Sequence, residues 1–350
     1  MNTYSFCTST YIEGSNTLIK LSQILKSWGK CGCILMESTL LEKFKKQFGP
    51  FIKKGLSHIP FNGECTLEEI NRVNKIVLKT KSQYIIAVGG GKALDTGKAA
   101  ANKTNLRCIT VPTSAATSAA STALSAIYKQ SGISSHYMLF DKSPDIVIVD
   151  FSLLISAPIR LLASGMADSL AKYYESMAFS QGRSDSSFVN MALKTTKIIY
   201  NNIFNLGFKA YEDNKQKYIS HEFKEIVRTN IMLAGLVGGI GGEGCRACAS
   251  HSINNAFTRL VDTKKFLHGE MVGYGNLVQL ALDHKLKEII KLKQFYKKLN
   301  LPYSFKFFNI APTKHQKEIV LKHALSKKET LKNMPKKISK QELAKIIFSF

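Results

Sequence analysis

Long apolar runs and an even set of cysteines are missing from this sequence, and we expect no secretory leader. No run reaches the roughly 18 apolar residues that a membrane-spanning helix needs. Residues 1–10 contain no basic segment leading into an apolar core, so the N-terminus does not resemble a signal peptide. The seven cysteines are odd in number and scattered, which argues against a disulfide framework and for a reducing, cytoplasmic location.

Acidic residues are scarce. The chain has 25 Asp and Glu against 49 Lys and Arg, a formal net charge of +24. Such a charge suits a nucleic-acid-binding protein, but here the lysines are spread along the chain instead of forming one basic block with interleaved aromatics. The densest clusters, residues 43–54 and 327–345, fall on predicted solvent faces of helices. We therefore expect neither a nucleic-acid nor a membrane partner, and a positive field that attracts small anions.

A strand-like run that ends in three glycines is the most informative segment. Residues 84–88 are mostly apolar, and Gly89, Gly90 and Gly91 then lead into a predicted helix over residues 92–103. Such a turn presents free backbone N–H groups and the positive end of the helix dipole, which suit the diphosphate of a nucleotide. The spacing differs from the common G-x-G-x-x-G fingerprint, and a βα turn without a ligand remains the alternative.

The two parts of the chain have different patterns. Up to residue 150, strand-like and helix-like segments alternate, with strands predicted over residues 32–36, 84–88, 107–111 and 145–149. This alternation predicts a Rossmann-like domain over residues 1–150, with a parallel sheet and ligands beyond the carboxyl ends of its strands. A helix that ends at Gly29 and a capping box from Thr66 to Glu69 are also predicted there.

Strand signals are almost absent from residue 151 onward. The predicted helices cover residues 158–177, 185–203, 218–236, 244–260 and 269–284. The sequence therefore predicts an all-helical domain over residues 151–350, with a cleft between it and the first domain.

Three polar residues in the helical part form a candidate metal site. Asp168 lies in an otherwise apolar helix, where an unpaired carboxylate is costly, and His251 and His268 lie in two later helical segments. One carboxylate and two imidazoles with an open position suit catalytic zinc or non-haem iron. Taken singly, each residue is also typical of a structural role. A competing pattern of Cys245, Cys248 and His251 on one helix lacks a fourth ligand nearby, so we interpret both cysteines as packing residues.

These segments together resemble the glycerol dehydrogenase branch of the metal-dependent, iron-containing-type alcohol dehydrogenases. His251 follows Asp168 by 83 residues and His268 follows after 17 more, close to the spacing in that family. The resemblance covers nearly the whole chain. The matching runs are residues 88–96, 111–113, 124–128, 142–145, 165–168, 250–253 and 267–270.

The resemblance implies a dehydroquinate synthase-like fold, a bound NAD(P) and an even-numbered homo-oligomer. The implied cofactor contacts are Gly89, Gly90, Gly91, Lys92, Asp95, Thr113, Thr122, Leu124 and Tyr128. Glu37 matches the family's acidic ribose contact, which favours NAD over NADP because a carboxylate repels a 2′-phosphate. Glu37 as a plain surface residue is the alternative. The implied metal, Zn²⁺ or Fe²⁺ on Asp168, His251 and His268, is a Lewis acid for the substrate oxygen while the nicotinamide carries the hydride.

Departures from the family pattern bear on the substrate. Ser118 stands where glycerol dehydrogenases carry an acidic residue that contacts a polyol hydroxyl, so we include it among the catalytic-site residues. Lys172 follows Asp168 by one helical turn. Both features are similar to those of the hydroxycarboxylate dehydrogenase relatives, which reduce 2-oxo acids. The sequence is equally compatible with a Lys172 that only pairs with Asp168 or Glu175 on its own helix. Asn254 replaces a histidine that the family often has, so a proton relay there is in doubt.

We therefore expect an NAD(P)-linked oxidoreductase for a small 2-hydroxy acid and its 2-oxo acid, with glycerol as the alternative substrate. A dehydroquinate synthase-like lyase shares the implied fold and cofactors, but its pocket has additional basic residues and a different ligand spacing. A non-catalytic nucleotide binder is disfavoured by the intact set of Asp168, His251 and His268.

Overall fold

The computed structural model describes residues 7–53, 56–181, 186–245 and 247–349. The chain divides into two compact units, with the boundary between Ala157 and Pro158. The short helix over Phe151–Leu154 therefore belongs to the N-terminal unit.

The N-terminal unit is built on a six-stranded parallel sheet. The strand order is β1-β8-β5-β4-β2-β3, and β6 and β7 form a separate antiparallel hairpin. The strands are β1 (Thr10–Gly14), β2 (Cys33–Met36), β3 (Ser57–Pro60), β4 (Tyr84–Gly89), β5 (Arg107–Pro112), β6 (Leu124–Tyr128), β7 (Ser134–Leu139) and β8 (Ile146–Asp150). The helices are α1 (Ile19–Trp28), α2 (Ser38–Lys43), α3 (Lys45–Lys53), α4 (Leu67–Lys79), α5 (Gly91–Thr104) and α6 (Phe151–Leu154).

Helices cover both faces of this sheet, which explains its nearly continuous apolar strands. On β2, Ile34 belongs to the core cluster that contains Leu21 of α1, whereas Leu35 belongs to the cluster that contains Val73 of α4. In the register of β4 and β5, Gly89 lies opposite Pro112. The three-glycine segment therefore begins at the carboxyl edge of the sheet, as the sequence predicts.

The four predicted strands are confirmed as β2, β4, β5 and β8. The two edge strands of the sheet, β1 and β3, were not predicted from the sequence. β1 and β3 are short, partly exposed and mixed in polarity, and β3 ends in Pro60. An edge strand has one neighbour only, so it needs no continuous apolar run. The helix that ends at Gly29 is confirmed as α1.

Half of the predicted capping box forms at the start of α4. The Thr66 hydroxyl accepts a hydrogen bond from the Glu69 N–H at 3.1 Å. The Glu69 carboxylate does not return to the backbone of Thr66, because it accepts instead from Asn62 and Arg72.

Among the described residues of the C-terminal unit, every regular element is helical. Its helices are α7 (Ile159–Phe179), α8 (Ser187–Lys215), α9 (His221–Arg228), α10 (Ala234–Ile240), α11 (Ala249–Phe257), α12 (His268–Leu282), α13 (Leu286–Lys298), α14 (Lys314–Ala324) and α15 (Lys340–Ile347). A π-helical turn, Thr229–Leu233, joins α9 to α10. Within the part of the chain that the structure describes, no helix is both long and apolar enough to cross a bilayer.

Two predicted helices have different bounds in the structure. The helix predicted from residue 244 begins later, at Ala249, because Cys245 ends a 3₁₀ turn and Cys248 adopts a non-helical backbone conformation. The helix predicted over residues 185–203 extends to Lys215, and its predicted first residue lies outside the described residues.

Glycines on α12 allow two other helices to approach its backbone closely. A Cβ added at Gly269 would lie 2.0 Å from the carbonyl oxygen of Ser164 on α7. One added at Gly275 would lie 2.4 Å from the carbonyl oxygen of Ser250 on α11. Real Cβ atoms are not found at such distances, so this three-helix packing requires glycine at both positions.

A Gly→Ala substitution in the N-terminal unit tests this type of packing, and one in the C-terminal unit is its control. A Cβ at Gly97 of α5 would lie 2.4 Å from the Ala87 Cβ of β4. We expect Gly97→Ala to lower the free energy of unfolding by about 1–3 kcal/mol, since overpacking outweighs the better helix propensity of Ala. Gly238 on α10 meets no atom within 4 Å, so Gly238→Ala should be neutral or stabilising. Thermal unfolding measures the melting midpoints of both variants, and equal midpoints would contradict the packing argument.

Candidate functional site

The buried carboxylate of Asp168 is the starting point of the candidate site. Asp168 lies midway along α7 and is 5% exposed. Its Oδ1 atom is buried and has no hydrogen-bond partner within the described residues. A buried carboxylate oxygen in that state is costly unless a cation lies next to it.

Two imidazole nitrogens approach this same oxygen. The Nε2 atom of His251 lies 3.5 Å from Asp168 Oδ1, and the Nε2 atom of His268 lies 3.3 Å from it. The three candidate ligand atoms all lie within 4.8 Å of one another. Two donors bonded to one tetrahedral ion at about 2.1 Å are separated by about 3.4 Å, so the residues present fit a divalent cation.

The charge around the site also favours a cation. Burial alone lowers the pKa of His251, but the carboxylates of Glu175 and Asp168 together outweigh it and the pKa rises to about 9. Burial raises the pKa of Asp168, yet the two imidazoles outweigh it and hold this pKa well below its usual range. Two buried carboxylates thus favour positive charge on the groups between them, and a divalent ion supplies that charge.

A third buried carboxylate fixes the start of the helix that carries His268. The buried Glu270 accepts from the Leu267 N–H at 2.8 Å and forms a two-contact pair with Arg160, at 2.5 and 2.6 Å. Because Arg160 lies in the first turn of α7 and His268 is the first residue of α12, this pair holds together the ends of two helices that supply candidate ligands.

Glu175 and Glu270 are site residues that sequence reasoning missed as such. Glu175 follows Asp168 by seven residues, which places both on one face of α7. Glu270 lies two residues after His268, inside a motif quoted for the family resemblance. The spacing along α7 could have identified Glu175, because two carboxylates two turns apart on one face of an apolar helix indicate a common polar site.

The competing Cys245–Cys248–His251 pattern is not a metal site in this structure. Cys245 and Cys248 precede α11 instead of sharing it with His251. Among the described residues, Asp168, His251 and His268 are the one group of potential ligands close enough to share an ion.

The glycine segment forms an open turn at the start of α5. Gly89 has φ of +150°, Gly90 is the N-cap residue, and no side chain caps the helix. A Cβ added at Gly90 would meet no atom within 4 Å, whereas one at Gly91 would lie 3.1 Å from Thr117 Oγ1. The first N–H groups of a 14-residue helix are therefore approachable on the side of Gly90.

Three other predicted cofactor residues lie at or next to this turn. The Lys92 ammonium pairs with Glu64 at 2.7 Å and lies 5.2 Å from the centre of the Tyr128 ring. The Thr113 N–H donates to the Gly89 carbonyl at 3.0 Å, which ties the end of β5 to the turn.

The structure assigns other contacts to three of the predicted cofactor residues. The Asp95 carboxylate pairs with Lys98 at 2.9 Å and accepts from the Ala126 N–H at 3.0 Å. Lys98 also donates to the carbonyl oxygens of Thr122 and Leu124. This buried lysine, which sequence reasoning missed, joins α5 to the β6–β7 hairpin. Contacts from Asp95, Thr122 and Leu124 to a cofactor remain predictions.

The remaining two predicted residues occupy different environments in the N-terminal unit. Glu37 is exposed directly after β2. Ser118 is 7% exposed in the segment between β5 and β6, where its carbonyl accepts from the Ser121 N–H at 3.0 Å. Their roles toward a ribose and a substrate remain predictions.

Comparison with known proteins gives one family. A family model described as "Iron-containing alcohol dehydrogenase" matches residues 8–151. An uncharacterised oxidoreductase of Synechocystis sp. is 35% identical over 300 residues, 82% of this chain and 76% of that protein. The glycerol dehydrogenase of Thermotoga maritima is 30% identical over 344 residues, 95% and 92% of the two chains. Hydroxycarboxylate dehydrogenase A of Escherichia coli is 33% identical over 284 residues, which are 80% of this chain and 78% of that protein.

A solved structure agrees with this result over nearly the full length. The crystal structure of glycerol dehydrogenase from Schizosaccharomyces pombe superposes with a TM-score of 0.89 and is 26% identical in sequence. The match covers 99% of this chain and 89% of that one. The fold class predicted from the sequence, a parallel α/β unit followed by a helical one, is confirmed.

Removal of the Asp168 charge tests whether the three side chains bind a metal. We expect the chain to bind one divalent ion, and Asp168→Asn to lower its affinity roughly 100-fold or more, because the ligand and its negative charge are lost together. Asp213→Asn removes another buried carboxylate, paired with Lys209 on α8, and should leave the affinity unchanged. Titration of the metal-free proteins against a chelating dye measures all three affinities. Equal affinities of Asp168→Asn and the unsubstituted chain would contradict the assignment.

Proposed function

Because the chain belongs to the iron-containing alcohol dehydrogenase family, in its glycerol dehydrogenase-like branch, we propose that it is a metal-dependent, NAD-linked oxidoreductase for a small 2-hydroxy acid and its 2-oxo acid. Membership makes it an oxidoreductase that acts on CH–OH groups. The observation that carries the metal dependence is the convergence of Asp168, His251 and His268 on one point.

Each part of the proposed site has a separate task. Asp168, His251 and His268 would hold Zn²⁺ or Fe²⁺, since both ions accept one carboxylate and two imidazoles. When bound, such an ion supplies Lewis-acid polarisation of a carbon–oxygen bond, and NAD supplies the hydride acceptor. The open turn at Gly89, Gly90 and Gly91 would receive the cofactor diphosphate on backbone N–H groups.

The preference for a carboxylate substrate rests on Lys172. It lies one turn after Asp168 on α7, and its charge lowers the pKa of both Asp168 and Glu175. Neither carboxylate forms an ion pair with Lys172 among the described residues, since both contact histidines instead. The alternative that Lys172 only pairs on its own helix therefore loses support. An ammonium group without such a partner beside a metal centre favours a substrate with a negative charge.

Glycerol is the second candidate substrate, and it has its own support. The relative from Thermotoga maritima is named a glycerol dehydrogenase and matches more of this chain than hydroxycarboxylate dehydrogenase A does. Against glycerol stands Ser118, a neutral residue at the position where the family resemblance leads us to expect a carboxylate for a polyol. Steady-state rates with 2-oxoglutarate, oxaloacetate and glycerol separate the two candidates, and glycerol as the best substrate would overturn the first.

A cytoplasmic location and a homo-oligomeric state remain predictions. The seven cysteines all lie among the described residues and form no disulfide there, which agrees with a reducing compartment.

Neutralisation of Lys172 should separate the two substrate classes. We expect Lys172→Met to lower kcat/KM for 2-oxo acids about tenfold, mainly through KM, because one charge-assisted contact to the substrate carboxylate is lost. The rate with glycerol should change less than about twofold. Lys194→Met, an exposed lysine on α8, is the matched control. An equal change for acids and glycerol would contradict a carboxylate-binding role for Lys172.

Glu37 should determine the choice of cofactor. We expect Glu37→Ser to raise kcat/KM with NADP about tenfold and to lower it with NAD, because a carboxylate accepts from the ribose 2′-OH and repels a 2′-phosphate. Glu42→Ser, another exposed carboxylate nearby on α2, should leave the NAD/NADP ratio unchanged. If both variants retain the original ratio, Glu37 is a surface residue without a cofactor contact.

A further inference from the structure

Helix α11 carries His251 but does not cap its own N-terminus. Cys248 is the N-cap residue, and no side chain of the N-cap position makes a capping hydrogen bond. This end of the helix is buried, with Cys248, Ala249 and Ser250 all inaccessible to solvent. Buried N–H groups at a helix start are costly without acceptors, so the acceptors must come from elsewhere.

Two side chains from other helices supply the acceptors. Glu175 Oε1 accepts from the Cys248 N–H at 2.7 Å and from the His251 N–H at 3.0 Å. Gln279 Oε1 accepts from the intervening Ala249 and Ser250 N–H groups at 3.1 and 3.2 Å. Four consecutive N–H groups are thereby satisfied by two oxygen atoms.

The two capping side chains come from the two helices that carry the other candidate ligands. Glu175 follows Asp168 by seven residues on α7, and Gln279 follows His268 by eleven residues on α12. Both spacings are close to whole numbers of helical turns, so ligand and cap lie on one face of each helix. Each of these helices thus holds α11 at one point and faces the candidate metal site at another.

Glu175 makes one further contact, to the ring of His251. Its Oε2 lies 2.6 Å from His251 Nδ1. A metal-bound imidazole is neutral, and in the neutral ring an Nδ1–H that donates to this carboxylate leaves the lone pair on Nε2. Nε2 is the atom that lies 3.5 Å from Asp168 Oδ1. The same carboxylate therefore sets both the position of His251 and its tautomer.

We propose that Glu175 is a positioning residue which, with Gln279, holds His251 in the register and the tautomer that metal binding requires. This inference rests on the proposed function only in that Asp168, His251 and His268 bind a metal ion. We assign neither Glu175 nor Gln279 a contact to the substrate.

The substitution Glu175→Gln separates the two contributions of this carboxylate. The amide oxygen of Gln can still accept from the Cys248 and His251 N–H groups, so the helix cap is retained. Its NH₂ group donates to His251 Nδ1, which favours the tautomer with a proton on Nε2 and removes the lone pair a metal needs. Metal affinity should therefore fall while the fold persists.

The chain offers a matched control in a second Glu–His pair, of a buried glutamate and a partly exposed histidine. Glu329 is 8% exposed, lies 2.8 Å from Nε2 of His323, and accepts from Asn255 of α11 at 3.1 Å. Glu329→Gln makes the same chemical change beside the same helix. His323 does not belong to the group of potential ligands found among the described residues.

The experiment is a titration of metal-free full-length protein with Zn²⁺ against a chelating dye, repeated with Co²⁺, whose absorption spectrum reports the ligand set. We expect Glu175→Gln to lower the affinity about 10–100-fold and to alter the Co²⁺ spectrum. Glu329→Gln should stay within about twofold of the unsubstituted chain. Thermal unfolding of the metal-free proteins measures the purely structural cost of each change.

Each outcome decides a separate question. Unchanged affinity in Glu175→Gln, or equal losses in it and Glu329→Gln with equal drops in melting midpoint, would overturn the positioning role. Failure of the unsubstituted chain to bind one ion would instead overturn the metal-dependent function itself.

A second variant covers the case in which Glu175→Gln does not fold. Gln279→Leu removes the acceptor for Ala249 and Ser250 and leaves the Glu175–His251 contact in place. We expect it to lower metal affinity roughly tenfold. Affinity within about twofold of the unsubstituted chain would then overturn the role of the shared cap.

Discussion

The placement of two carboxylates, Asp168 and Glu175, inside one buried helix is the constraint on which the C-terminal unit depends. Neither charge is tolerated there without positive charge or several donors nearby. Glu175 is satisfied by backbone N–H groups and an imidazole, whereas Asp168 Oδ1 faces two imidazole nitrogens without a hydrogen bond to either. The close packing of α7, α11 and α12, which glycines permit, is what brings these groups together. A cation bound among them would complete the balance of charge.

Local sequence signals predicted those parts of the structure that have local causes. β2, β4, β5 and β8 are apolar because helices cover both sheet faces, so their runs are visible without any tertiary information. The glycine turn was found because a strand, three glycines and a helix follow one another directly. Asp168 was found because a carboxylate stands out within an apolar helical pattern. For His251 and His268, the family resemblance was needed to connect two distant segments.

The parts that were missed depend on contacts between distant segments. Glu175 caps α11, which begins 74 residues later at Ala249. No local sequence pattern indicates a contact between segments so far apart. The start of α11 was misplaced for the same reason, because its cap comes from other helices and not from the preceding residues. In the sequence, nothing distinguishes Lys98 from the other lysines of its helix. In the structure it is buried and contacts Asp95 and the β6–β7 hairpin.

Crystals of the protein grown with zinc, with diffraction data collected on both sides of the zinc absorption edge, would show whether Asp168, His251 and His268 share one ion. We expect a single strong anomalous peak about 2.0–2.2 Å from a carboxylate oxygen of Asp168 and from the Nε2 atoms of His251 and His268. No peak at that position, or a peak bound instead at Cys245 and Cys248, would contradict this metal site.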